Sequence, residues 1–319
     1  METVSRGRRW GSGLIAAALL SSAVLVGAAN PAAADPATGS GSVAADAGAV
    51  TMVNGEGRRV TIPSSLAASL ASRSAAGAAG SRAAAGVAAT TKSRGAGTNA
   101  VIGTDDRTPE YDPLGYPWGA IVYLSTNQGQ CTGFMLSRDV VVTAGHCVYS
   151  GGWVTSYRAV PGKNGTSEPF GSCSGGIADV WTNSTWISNG SADADYGLVK
   201  LTCDIGYTVG WFGWWYSTGE NLVGTSMYIE GYPGDKPFAT MWWDSDPIAS
   251  QSATRLFHSI DTAGGQSGAP IYHYNSTVAG LCSGWCVTGI HKGAVGSQNH
   301  GTRFNPTVMS FINYWIGQP

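Results

Sequence analysis

From about residue 100 onward the chain is a series of short apolar runs punctuated by turn residues. "GAIVYL", "DVVVTAG", "YGLVKL", "SMYIEGY", "APIYHY" and "VTGIHKG" are each four to seven residues of alternating or continuous apolar character, bounded by Gly, Asn or Asp. That spacing predicts many short antiparallel strands in a barrel or sandwich. The C-terminus differs: Val308, Phe311, Ile312 and Trp315 fall at i, i+3, i+4 and i+7 after Pro306, the period of a helix. Upstream, residues 35–99 are Ala, Gly and Ser with scattered Arg, too poor in large apolar groups to bury a core alone. There "GEGRRVTIPSS" around Val60 is the one strand-like piece. The sequence contains no internal repeat and no phosphate-cradling glycine loop.

The first residues carry an export pattern. Arg6, Arg8 and Arg9 form a positive region, Leu14 to Gly27 an apolar run, and Ala32-Ala33-Ala34 a small-residue cleavage site. The apolar run is short for a bilayer span of about 20 residues. Residues 1–34 are therefore expected to be a signal peptide of a secreted protein. Residues 35–99 are expected to be a pro-segment removed after export, the alternative being a flexible linker. The mature chain is expected to begin near Ala100, with no membrane attachment after processing.

Composition sharpens that boundary. Residues 1–99 hold no Cys, no His and one aromatic, Trp10, whereas residues 100–319 hold all six cysteines, all five histidines and 11 of the 12 tryptophans. The first part carries nine Lys/Arg against four Asp/Glu and the second nine against sixteen, so a basic leader precedes an acidic body. The two could dock by charge complementarity, and an acidic body argues against nucleic acid as a partner. Six cysteines in an exported chain suggest three disulfides, with fifteen formal connectivities. Spacing favours neighbours: Cys131 with Cys147, Cys282 with Cys286, leaving Cys173 with Cys203. A cysteine metal site is the rival, less suited to an oxidising compartment.

Hydrolysis of a peptide bond by serine needs a hydroxyl, an imidazole base, a carboxylate that orients it, and donors for the oxyanion. In "VVVTAGHCVY", His146 follows an apolar strand and a small-residue turn, beside a cysteine that can staple the turn. In "DADYGLVKL", Asp195 opens a strand whose Leu198 and Leu201 face a core, so its carboxylate is expected to be partly buried; Asp193 is the fallback. In "DTAGGQSGAP", Ser267 follows Gly264 and Gly265, which permit a turn aiming the N–H groups of Gly265 and Ser267 at one point. Gly268 and Ala269 are expected to keep the floor open to substrate. The order His, Asp, Ser, with separations of 49 and 72 residues, ties the three motifs together.

With "TAGHC", "DYGLVKL" and "GGQSGAP" in this order, residues 100–319 resemble the chymotrypsin-fold serine proteases. Within them they resemble the bacterial glutamyl endopeptidases of the staphylococcal V8 and Bacillus type. "AVIGTDDRTP", "VGWFGWWY", "GYPGDKP" and "GIHKG" follow that family's order as well. The resemblance implies an all-β fold of two antiparallel six-stranded β-barrels, 100–205 carrying His146 and Asp195 and 206–319 carrying Ser267, with a C-terminal helix outside. It implies a monomeric endopeptidase acting on proteins or peptides, held before activation by its own pro-segment and needing no cofactor or metal. It also assigns cleavage after Glu, less readily after Asp, to His291, with Thr262 adding a hydroxyl and the Ala100 α-amine reaching the same pocket.

Alternatives remain at this stage. Asp261, six residues before Ser267, supports a trypsin-like pocket for Lys or Arg, although the Bacillus-type proteases carry an Asp in the same context. Gln266 stands where trypsin-like zymogens keep the acid that receives the new N-terminus, so an amine at Ala100 would be free for another task. The Trp-rich run "VGWFGWWY" could form a carbohydrate-binding face, and the chain could be a non-catalytic binding homologue. Lys292, beside His291, is expected to be a surface residue pointing away from it.

Overall fold

The computed structural model describes residues 46–73, 101–216, 219–275 and 282–319. The expected signal peptide and Ala100 lie outside the described residues. The six apolar runs read from the sequence all contain strands. In the first half these are β3 (Thr108–Pro109), β4 (Ile121–Thr126), β5 (Gly129–Met135), β6 (Val140–Thr143), β7 (Ser156–Pro161), β8 (Cys173–Gly176), β9 (Val180–Asn183) and β10 (Gly197–Lys200). A short helix α2 (Ser184–Asn189) follows β9, capped by the Asn183 side chain, which accepts from the N–H groups of Thr185 and Trp186.

The second half holds α3 (Gly206–Val209), β11 (Gly213–Trp214), β12 (Ser226–Gly231), β13 (Trp242–Gln251), β14 (Arg255–His258), β15 (Pro270–Asn275), β16 (Gly284–Val295), β17 (Gln298–Arg303) and α4 (Pro306–Ile316). Strands β16, β15, β12, β13, β14 and β17 pair in that order, and β17 returns to β16, which closes a six-stranded antiparallel barrel. Closure removes the exposed sheet edges that would invite aggregation. The first-half strands run in the order β9, β10, β6, β5, β4, β7, β8 as one curved antiparallel sheet. Strand β3, near the start of the body, pairs with β13 of the second sheet. The expected 100–205 unit therefore lends its first strand to its neighbour.

The expected helix is α4: Val308, Phe311, Ile312 and Trp315 are all buried, and Asn305 caps it through the N–H groups of Thr307 and Val308. The Trp-rich run is core. Phe212, Trp214 and Trp215 are buried, and Trp214 donates to Asn313 of α4 at 3.1 Å. It thus offers no carbohydrate-binding face. Disulfides join Cys131 to Cys147, Cys173 to Cys203 and Cys282 to Cys286, the pairing that spacing favours.

The leader is more structured than its composition suggests. Residues Val50–Asn54 (β1) and Arg59–Ile62 (β2) form a hairpin, followed by α1 (Ser64–Ala71). Strand β1 pairs with the free edge of β9, so the hairpin extends the first sheet. Met52, Ile62 and Leu70 are buried. The Trp315 indole meets the Met52 sulfur at 3.0 Å, Asn313 donates to the carbonyls of Leu70 and Arg73, and the Arg58 guanidinium lies over Trp181. The segment has too few apolar groups to make a core, but it borrows the tryptophans of the body.

Candidate active site

His146 sits in a single helical turn directly after β6, and Asp195 lies just ahead of β10, which pairs with β6. The register Gly197–Thr143 thus brings two residues 49 apart in sequence to one corner. Asp195 is fully buried, and Oδ2 faces His146 Nδ1 at 2.9 Å while Oδ1 accepts the His146 backbone N–H at 2.8 Å. Burial acts to raise the Asp195 carboxyl. The hydrogen bonds and charge of His146, with the charge of Lys292, outweigh it and hold the carboxyl below its ordinary value. Asp193 instead makes a surface ion pair with Arg255 at 2.8 Å.

Ser267 lies in the turn between β14 and β15. Gly265 has φ +100°, and a Cβ there would stand 2.5 Å from the Tyr232 carbonyl, so only glycine makes this turn without strain. The N–H groups of Gly265 and Ser267 donate to no group among the described residues. Thr132 on β5 locks the turn to the first sheet: its N–H donates to the Ser267 carbonyl and its hydroxyl to the Gly265 carbonyl, each at 2.8 Å. Gly268 (φ +86°) abuts the Thr132 carbonyl and Thr143 hydroxyl, where a Cβ would come within 2.1 Å. Its small size serves the contact between the two sheets rather than the substrate floor. The Ser267 hydroxyl donates to the Lys292 carbonyl at 3.1 Å and not to His146.

Asp261 is buried, and its oxygens accept the backbone N–H groups of Ile102 at 2.8 Å and Asp106 at 3.3 Å. It anchors the segment that begins the body, which removes the acid on which a Lys/Arg pocket was to rest. Gln266 is also engaged with that segment: its side-chain oxygen accepts from the Ala263 N–H and from Arg107, whose buried guanidinium also pairs with Asp105 and Asp235.

Thr262 and His291 are both buried, and neither Thr262 Oγ1 nor His291 Nδ1 has a hydrogen-bond partner among the described residues. A buried polar atom left unpaired costs about 1–3 kcal/mol, a cost that a ligand's hydrogen bond to either atom would offset. Two histidines that sequence reasoning passed over lie beside His291. His258 on β14 packs its ring 5.5 Å from it, and His300 lies on β17, the strand paired with both β14 and β16. Burial, then His258, His300 and His146, hold His291 well below the usual imidazole range, so it is neutral in the unliganded protein. No sequence motif marks His258 or His300; only the pairing of β14, β17 and β16 gathers them.

Lys292 is not a surface residue. Its ammonium lies 3.0 Å from Asp195 Oδ2 and over the Trp186 ring. The far face of β16 here meets the first sheet instead of water, a fact that strand alternation alone cannot reveal.

The sequence model of the trypsin family, described as "Trypsin", matches residues 105–312. A "Glutamyl endopeptidase" of Bacillus licheniformis is 42% identical over 222 residues, which are 68% of this chain and 69% of that protein. An "Extracellular metalloprotease" of Bacillus subtilis is 38% identical, over 69% of this chain and 71% of that protein. A solved structure described as Glu endopeptidase in complex with MPD superposes with a TM-score of 0.61 at 28% identity, covering 68% of this chain and 100% of the other.

The second name prompts a test of the donors. Among the described residues, the groups close enough to share a cation are Cys131, His146 and Cys147, and Asp106, Asp244 and Asp261. The two sulfurs of the first are joined in a disulfide. In the second, Asp261 is spent on backbone N–H groups and Asp244 accepts the Asp261 N–H at 2.7 Å. Neither is a His and carboxylate set with an open position, as hydrolytic zinc requires. The chain belongs to the trypsin family of chymotrypsin-fold proteases, in its glutamyl endopeptidase branch, and is a serine endopeptidase.

Proposed function

We propose that the protein is a secreted endopeptidase that cleaves after Glu, and less readily after Asp, through Ser267, His146 and Asp195. The observation that supports the chemistry is the buried Asp195–His146 pair together with a serine held on a turn that only glycine makes without strain. In the reaction the Ser267 hydroxyl leaves the Lys292 carbonyl and turns to His146 Nε2. Its oxygen then attacks the substrate carbonyl while His146 takes the proton. The oxyanion that forms is met by the N–H groups of Gly265 and Ser267. His146 returns the proton to the departing amine; it then takes a proton from the water that attacks the acyl-enzyme and passes it to the Ser267 oxygen as the ester bond breaks and the acid leaves. Asp195 stays ionised throughout, as its lowered carboxyl requires.

Glu preference is supported by the unpaired Thr262 Oγ1 and His291 Nδ1. A carboxylate brought to the pocket supplies the missing acceptor, and its charge draws a proton back onto His291. A chain cut before Ala100 would begin two residues ahead of Ile102, whose N–H the Asp261 carboxylate accepts. Residues 1–34 act as the signal peptide and 35–99 as the pro-segment, and the processed enzyme works as a monomer.

One experiment tests both parts. A peptide library varied only at the residue before the cut is digested with the processed enzyme and with Ser267→Ala, and read by mass spectrometry. Cleavage after Glu, then Asp, is expected from the first and background from the second. A preference for Lys or Arg overturns the specificity, and cleavage by Ser267→Ala overturns the nucleophile.

A further inference from the structure

Strand β16 carries an irregularity at the site. His291 pairs with Gly301 and Gly293 with His300, which leaves Lys292 as the extra residue of a bulge. Bulges beside active sites re-aim a side chain, and here the residue touches the reacting groups at two points. Its carbonyl accepts the Ser267 hydroxyl at 3.1 Å, and its ammonium sits 3.0 Å from Asp195 Oδ2. That oxygen also faces His146 Nδ1, so an ammonium and the imidazole share one carboxylate oxygen. The Lys292 side chain is 22% exposed and Asp195 is fully buried, so the ammonium is poorly screened from its partner. The Trp186 ring, 5.1 Å below the ammonium, fixes it from the other side.

We propose that Lys292 is a positioning residue that holds both ends of the catalytic arrangement, orienting Asp195 with its ammonium and the resting Ser267 with its carbonyl, and that it thereby sets the acid limit of the working pH range. When His146 takes a proton, two cations must share the carboxylate that otherwise serves one. Removing the ammonium would leave that oxygen to the imidazole alone, and the pH dependence of activity reads the change.

The other groups facing this corner act differently. Arg255 on β14 is paired with Asp193 at the surface. His300 on β17 is pushed down to about 4 by burial, then by Lys292 and Arg255, and is neutral across the relevant range. His291, earlier on β16, is held neutral by burial and its neighbours. His258 on β14 packs against His291 on the side of the second barrel. Thr302 donates to the Asp195 carbonyl and does not titrate.

The proposal rests on the roles given to Ser267, His146 and Asp195, which the Ser267→Ala arm above tests separately. Initial rates on fluorescent casein, at concentrations well below saturation, are measured against pH for the processed enzyme and for Lys292→Met and Lys292→Arg. In Lys292→Met the midpoint of the acid limb is expected to move up by about one pH unit, so that activity at mildly acidic pH falls more than activity at alkaline pH. Lys292→Arg, which keeps the charge, is expected to hold the midpoint near that of the parent. Lys292→Gln serves as a second neutral variant should the methionine form fail to accumulate. A neutral variant whose acid limb superimposes on the parent's overturns the proposal. So does an equal fall at every pH in the neutral and arginine variants, since that is what a purely structural role would give.

Discussion

Thr262 sits next to Asp261 in the chain, yet the two side chains have opposite fates. Asp261 is engaged by backbone donors, whereas the buried Thr262 hydroxyl has no hydrogen-bond partner among the described residues. A group kept in that condition lowers stability, a cost that a hydrogen bond from substrate would offset. Replacing it by an apolar isostere should therefore separate fold from function. Thr262→Val is expected to melt slightly higher than the parent, because a desolvated hydroxyl worth about 1 kcal/mol or more is removed. The kcat/KM on Glu peptides is expected to fall about tenfold or more. Calorimetry and single-residue peptide series check the two halves, and a variant less stable with unchanged Glu cleavage would place Thr262 in the core alone.

At the scale of elements, β12 carries a second buried acid that the chemistry does not use. Glu230 is fully buried and accepts the Tyr272 hydroxyl at 2.8 Å on the neighbouring β15. Burial, and then the charge of Glu110, push its carboxyl well above the ordinary value despite the hydrogen bonds of Tyr272 and Trp118. The sign of the linkage follows. In the unfolded chain the group ionises above about 4.5, while the fold holds it protonated, so its contribution falls as pH rises from there towards the folded value. The loss is about 1.4 kcal/mol for each pH unit in that interval. The melting temperature of the parent, measured from pH 4.5 to 8, is expected to fall relative to that of Glu230→Gln by several degrees. Parallel curves would mean that Glu230 ionises in place.

At the scale of the molecule, the leader and the body meet at a sheet edge, with the helices α1 and α4 packed together behind it. Among the described residues of that contact, the Arg58 guanidinium lies over Trp181, and Met52, Ile62 and Leu70 supply buried apolar area. Each such side chain contributes roughly 1.5–3 kcal/mol when fully buried. Removal leaves the β9 edge and the faces of Trp181 and Trp315 uncovered. Ser267→Ala protein containing the leader is expected to melt several degrees above the same protein lacking residues 1–99. Equal melting temperatures would mean that the hairpin adds nothing to the fold.

Strand runs, the α4 period, the disulfide neighbours and the His146, Asp195 and Ser267 motifs were all legible along the chain. Each is a local pattern: apolar alternation, cysteine spacing, or a glycine turn whose geometry only certain residues permit. Tertiary structure alone decided the rest. Asp261 lost its role as a pocket acid because a segment some 155 residues upstream reaches it, with Asp106 donating to it across that separation. Lys292 became part of the site because the far face of its strand meets the other sheet. His258 and His300 joined His291 through the strand order of a closed barrel. The leader acquired structure because its few apolar residues found tryptophans to pack on. In every case the deciding contact lies between segments distant in sequence, and a single chain carries no local record of which of its faces will meet.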